Sequence, residues 1–164
     1  MILDEKRPRT TAEGGAGQPI SLVIPCRPEY FGLCRLVAGV VGTRESLDEE
    51  DIADLKLVVT EACTCFLWGP DGSPSLQDDC PPGGPSSLRV DFTVLPESWQ
   101  ISISDPERRY HTPERSGVAP AVGRGLGLMI MEALVDSVER TDTEAGGSVV
   151  RLVKRLSPRV VEAG

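Results

Sequence analysis

Residues 123–131 read Gly-Arg-Gly-Leu-Gly-Leu-Met-Ile-Met. Three glycines, Gly123, Gly125 and Gly127, alternate with other residues and open into an apolar stretch. Glycine lets a backbone approach a ligand closely. A helix start offers free N–H groups and the positive end of its dipole, and together these favour phosphate. The chemistry this run suits is phosphate binding. It suits an ordinary tight turn into a core helix equally well, so the rest of the chain has to decide. The thiols are the other chemical candidates. Cys26, Cys34, Cys63, Cys65 and Cys80 are an odd set without a disulfide-framework spacing, which fits free thiols in a reducing compartment. Cys63 and Cys65 fall in a strongly helical stretch, where a spacing of two points side chains to different faces. With His111 as the single histidine, core or surface thiols are expected here rather than a zinc site.

The elements that must position these residues fit one domain of 164 residues, long enough to bury a core. Aromatic residues make up 4% of the chain, so the core is expected to be aliphatic. A balance of 17 basic against 25 acidic residues gives a net charge of −8. That argues against general nucleic-acid binding and against an anionic membrane surface. No apolar run approaches membrane-spanning length, and residues 1–17 lack a signal-peptide core. The cytoplasm is the expected location.

Residues 1–18 and 157–164 read as tails around a domain at 19–156. Ile20, Leu22 and Ile24 predict a first strand that Pro25 ends. Leu33, Leu36, Val37, Val40 and Val41 give residues 29–41 a helical stripe, read as a core face, with a dimer face as the other reading. Ser46 and Glu49 form a capping box for a second helix to about residue 67. Its buried face is read as Ile52, Leu55, Val59, Ala62 and Phe66. Residues 69–87 are rich in Pro, Gly and Ser and read as a flexible insertion. Leu88, Val90, Phe92 and Val94 alternate with polar residues, as do Trp99, Ile101 and Ile103, which predicts an antiparallel hairpin. Residues 106–123 read as a lid-like loop, 126–138 as a third helix and 148–156 as a last strand. This order predicts a two-layer α/β sandwich, with a mixed, mostly antiparallel sheet and helices on one face.

Four stretches then resemble the GHKL ATPase superfamily, and within it the anti-sigma-factor serine kinases of bacterial partner switching. Residues 54–64 are similar to the helix that carries the family's N box. Residues 101–105 are similar to the strand that ends in its adenine-reading aspartate. Residues 123–128 resemble its second glycine box, and 147–152 its closing strand. The resemblance runs in order from about Ile20 to Leu156. It implies a Bergerat-type fold and ATP or ADP as ligand. It implies a sigma factor and a STAS-domain antagonist as partners, and a homodimer. By resemblance, Glu61 is the general base that takes a proton from a partner's serine hydroxyl. Asp105 accepts the adenine amino hydrogen. Gly123, Gly125, Leu126 and Gly127 wrap the phosphates, and Ser148 matches a hydroxyl near the adenine.

Two departures limit what carries over. The family's N box ends in an asparagine, a Mg²⁺ ligand, four residues after the glutamate; here that position is Cys65. Mg²⁺ is a hard cation that takes oxygen ligands, and a thiol is a soft, poor substitute. The family also places glycines two and four residues after the aspartate, where this chain has Glu107 and Arg109. Arg108, Arg109, Arg115 and Arg124 either offset phosphate charge without a metal or form a solvated loop. Three readings follow. The first is an anti-sigma-type regulator with impaired or metal-independent ATP binding. The second is an active ATP-dependent protein serine kinase. The third is an unrelated small α/β binding domain.

Overall fold

A computed structural model of the chain describes residues 18–67, 85–106, 122–142 and 147–156. Five strands form one sheet: β1 (Ile20–Pro25), β2 (Ser87–Val94), β3 (Ser98–Ser104), β4 (Ser137–Asp142) and β5 (Ser148–Arg155). The spatial order is β1-β2-β3-β5-β4. Every pairing is antiparallel, so the sheet is not mixed as expected. Three helices cover one face: α1 (Phe31–Arg44), α2 (Glu49–Thr64) and α3 (Val122–Leu134). The α2 helix packs against both α1 and α3.

The alternation read from the sequence sets the inner face. Register brings Val90, Ile103 and Val150 into one row and Phe92, Ile101 and Leu152 into the next. All six are buried, with Trp99, Leu88 and Ile24 beside them. Trp99 stacks on Phe92 with centroids 6.1 Å apart, and its indole N–H finds no acceptor among the described residues. Lys154 continues the Val150/Leu152 parity at the rim of this face. Its ammonium reaches Asp54 at 3.0 Å, Asp51 at 3.2 Å and the Leu134 carbonyl at 3.1 Å. One cation thus ties β5 to α2 and to the end of α3. Burial works to lower the Lys154 pKa, but its hydrogen bonds to Asp54 and Asp51 outweigh that and hold it above its ordinary value.

Four expectations are corrected. The third helix spans Val122–Leu134, not 126–138, and the chain then enters β4, a strand the sequence reading missed. In β4 only Val138 packs against the core, so its apolar periodicity is too thin to read. The α1 core face is Phe31, Cys34, Ala38, Val41 and Gly42. Leu36 and Val40 of the expected stripe are 64% and 63% exposed, and Leu33 is exposed with them. Side-chain size decided this: a Cβ at Gly42 would meet Ile52 Cγ1 at 2.7 Å, and one at Gly39 would meet Lys56 Cε at 2.7 Å. The face made of small residues lets α1 and α2 approach closely, and the bulkier aliphatic side chains turn outward.

The last correction concerns the cap of α2. Asp48, not Ser46, fills it, accepting from the Asp51 N–H at 2.7 Å. Ser46 instead ends α1 in the left-handed region, at φ 56°. The Leu47 N–H reaches the Gly42 carbonyl at 3.0 Å and the Ser46 N–H reaches the Thr43 carbonyl at 3.1 Å. This is the Schellman pattern, with serine where glycine is favoured. Ser46 is therefore committed to one helix and unavailable to the next.

Candidate functional site

The candidate residues lie on the C-terminal half of α2, at the end of β3 and at the start of α3, and of these α2 and α3 pack together. Asp48 and the acidic first turn, Glu49, Glu50 and Asp51, suit the positive end of the α2 dipole. Leu55, Val58, Val59, Ala62 and Cys63 bury one face of α2. That packing leaves Glu61 on a half-buried flank directed at α3. A Cβ on Gly127 would lie 2.7 Å from Glu61 Oε2. The carboxylate therefore rests against the backbone of the third glycine of the run, and a side chain there would push it aside. The sequence stretches that carry Glu61 and Gly127 are brought into contact.

Asp105 follows Trp99, Ile101 and Ile103 in strict alternation, so it belongs to the inner, apolar face. It is 3% exposed and is the one buried charged residue among the described residues. Burial of a charge is costly unless it is hydrogen-bonded, and Asp105 is engaged in an interaction within the protein.

Because α3 begins at Val122, Gly123 and Gly125 fall inside its first turn. The N–H groups of the cap and of the first three helical residues have no intrahelical carbonyl, so Gly123 is among the backbone donors open to a phosphate, whereas the Gly125 N–H closes the first turn. Leu126 and Gly127 lie one step further in, where N–H groups are used by the helix, and the Leu126 side chain is exposed. The glycine run is thus the helix start itself and not a loop ahead of it. Ser148 opens β5 opposite Asp142 of β4. Glu107, Arg108, Arg109, Arg115 and His111 lie outside the described residues, as do most of the 69–87 insertion and the lid-like loop.

Cys65 shares a face with Glu61, as the four-residue spacing requires. Its thiol is half-buried and is turned back along the helix, with Sγ 3.6 Å from the Glu61 carbonyl oxygen. No group of three or more His, Cys, Asp or Glu suited to a metal ion occurs among the described residues. One carboxylate and one thiol engaged with the backbone do not fit Mg²⁺, which takes oxygen donors in octahedral array.

A second group of thiols lies behind the site. Cys26, Cys34 and Cys63 are buried thiols outside any disulfide. Interaction with the Cys63 thiol lowers the Cys34 pKa. It pushes the Cys63 pKa up, and burial adds to the rise. This interaction was not legible from spacing, because it depends on the α1 face that the sequence reading misassigned.

Residues 24–154 match the histidine kinase-like ATPase domain. The chain belongs to that family. Among curated relatives, the serine-protein kinase RsbW of Bacillus velezensis is 28% identical over 156 residues, covering 88% of this chain and 90% of the relative. RsbW of Bacillus subtilis is 29% identical over 141 residues, covering 79% and 81%. RsbW of Listeria monocytogenes is 28% identical over 158 residues, covering 87% and 90%. The GHKL resemblance read from four stretches is borne out, and with it an antiparallel α+β fold that carries an ATPase-type site. No described helix is long and apolar enough to cross a membrane.

Proposed function

We propose that this protein is an anti-sigma-type regulator that works by partner switching. It binds a sigma factor and a STAS-domain antagonist, and it takes ATP or ADP with little dependence on Mg²⁺. The RsbW relatives support the partner class. The observation that carries the metal statement is the Cys65 thiol, held 3.6 Å from the Glu61 carbonyl where the family has an oxygen ligand. Asp105 holds the adenine amino group in this reading, and the N–H groups at the start of α3 meet the phosphates.

Homodimerisation belongs to the same reading. Leu33, Leu36 and Val40 present an apolar α1 face to solvent, and a second copy covers it. Sedimentation of the wild type against Leu36→Lys tests this: a dimer that the substitution dissociates is expected, and a monomeric wild type contradicts it.

A second reading is supported by the contact of Glu61 with Gly127. Bound ATP supplies a transferable phosphoryl group, and the Glu61 carboxylate, placed beside the glycine helix, takes the proton of the partner's serine hydroxyl. The test that separates the readings is incubation with ATP and each STAS-domain antagonist of the same cell, with capture of sigma factors in parallel. Capture of a sigma factor or antagonist without phosphorylation supports the regulator. Serine phosphorylation that Glu61→Gln slows by about a hundredfold or more supports the kinase. Capture of neither partner class by folded protein overturns both.

A further inference from the structure

Lys154 and Glu61 stand at the two ends of one helix pair. At the first end the Lys154 ammonium lies 3.0 Å from Asp54 Oδ2 and 3.2 Å from Asp51 Oδ1, both on α2. It also lies 3.1 Å from the carbonyl oxygen of Leu134, the last residue of α3. At the second end the Glu61 carboxylate meets the Gly127 backbone. Glu61 is seven residues forward of Asp54 along α2, and Gly127 is seven residues back from Leu134 along α3. The two contacts therefore fix one antiparallel register, with about 10 Å of each helix between them. A slip of one residue would turn a helix by about 100° and advance it by about 1.5 Å, which takes Gly127 away from the carboxylate.

Lys154 is placed to hold that register. Its side chain is 15% exposed, so its ion pairs are shielded from solvent as a surface salt bridge is not. Its charge also suits the negative end of the α3 dipole. Backbone groups of β5 grip the turn after α3 as well. The Asp136 N–H donates to the Val153 carbonyl at 2.8 Å, and the Arg155 N–H donates to the Asp136 carboxylate. The end of α3 is thus held on β5 without Lys154, and what the ammonium adds is α2. We propose that Lys154 is a positioning residue for the candidate site: it ties α2 to the end of α3 and so seats the Glu61 carboxylate on Gly127. The register is a matter of packing. Its consequence for nucleotide rests on the reading above, in which the start of α3 meets the phosphates.

The test uses the full chain, isotopically labelled for amide NMR. Glu61→Gln keeps the size and removes the charge. It is expected to shift the Gly127 amide signal, because the carboxylate lies against that backbone. In a Lys154→Met background the same substitution is expected to shift that signal less than half as far. Ile24→Val, a loss of buried volume in β1, is the control for destabilisation alone and is expected to leave the full shift. ATP titration of the same proteins is expected to show a several-fold weaker affinity in Lys154→Met and no change in Ile24→Val. If Lys154→Met does not fold, Asp54→Asn is read in its place. An equal Gly127 shift with and without Lys154, or an equal loss in Ile24→Val, overturns the proposal. So does a wild type in which Glu61→Gln leaves Gly127 unmoved, or an ATP affinity that Lys154→Met leaves unchanged. A wild type that binds no ATP, with the Gly127 shift still dependent on Lys154, supports the positioning role and overturns the nucleotide reading instead.

Discussion

Gly127→Ala is the sharpest probe of how the site is built. A methyl group at 127 would sit 2.7 Å from Glu61 Oε2, whereas ordinary contact begins near 3.4 Å. The carboxylate must therefore retreat by about 0.7 Å, on the order of the 1 Å misplacement that costs a catalytic group about a hundredfold. Folding should suffer little, because the displaced atom is the tip of a long side chain and Gly→Ala in a helix interior returns about 0.5–1 kcal/mol. Gly32→Ala in α1 is the control, since a Cβ there meets nothing within 4 Å; it should show that helix gain undiminished. The decisive measurement is a double-mutant cycle by urea denaturation. In wild type, Gly127→Ala should gain less than Gly32→Ala, because moving a half-buried carboxylate offsets the helix term. In a Glu61→Ala background the obstruction is gone, and Gly127→Ala should recover the full gain. A coupling of about 0.5–1 kcal/mol is expected for groups in contact. Additivity within about 0.3 kcal/mol would refute the Glu61–Gly127 contact and the assembly of the site built on it.

Three further outcomes follow from other contacts. Ser46→Gly should raise stability by about 0.5–1 kcal/mol in chemical denaturation, since glycine adopts the φ of 56° without the Cβ penalty. Lys154→Met should cost about 1–2 kcal/mol, as one cation loses two carboxylates and a carbonyl. The same contacts set a pH dependence. The folded pKa of Lys154 is raised, so the stability it contributes is complete below the unfolded value of ~10.4 and is lost as pH rises through the folded value. Alkaline titration of Tm above about pH 10.5 should therefore fall more steeply for wild type than for Lys154→Met. Asp105→Asn should weaken ATP binding by about ten- to a hundredfold, the worth of one charged hydrogen bond, in calorimetry on protein shown to be folded.

The strands were legible wherever apolar residues alternate, because a sheet with one covered face writes its period directly into the chain. Ile101, Ile103 and Asp105 could be read as a strand end for this reason, and the burial of Asp105 follows from that parity. The α1 face was not legible. Leu33, Leu36 and Val40 form the more apolar stripe, but Cys34, Ala38 and Gly42 are small enough to let α2 approach. Hydrophobicity alone does not report which face can be approached closely. The cap of α2 was misplaced because Ser46 and Asp48 are both good caps, and only the Schellman turn that closes α1 decides between them. The strand β4 carries too few inward apolar residues to show a period. At the site, residue types identified Glu61 and the glycines as candidates, yet their contact depends on α2 and α3 packing side by side. The turn of the Cys65 thiol toward the helix backbone is likewise a matter of local geometry that spacing cannot express.

The central claim is a nucleotide site whose metal position has lost its oxygen ligand. Calorimetric titration of the full chain with ATP, once in EDTA and once in excess Mg²⁺, tests it most directly, with Cys65→Asn measured alongside. The expected result is binding in both buffers with affinities within a few-fold of each other, and a gain of about tenfold or more with Mg²⁺ only in Cys65→Asn, or about 1.4 kcal/mol. Wild-type binding that requires Mg²⁺, or a Cys65→Asn variant indifferent to it, would contradict the account.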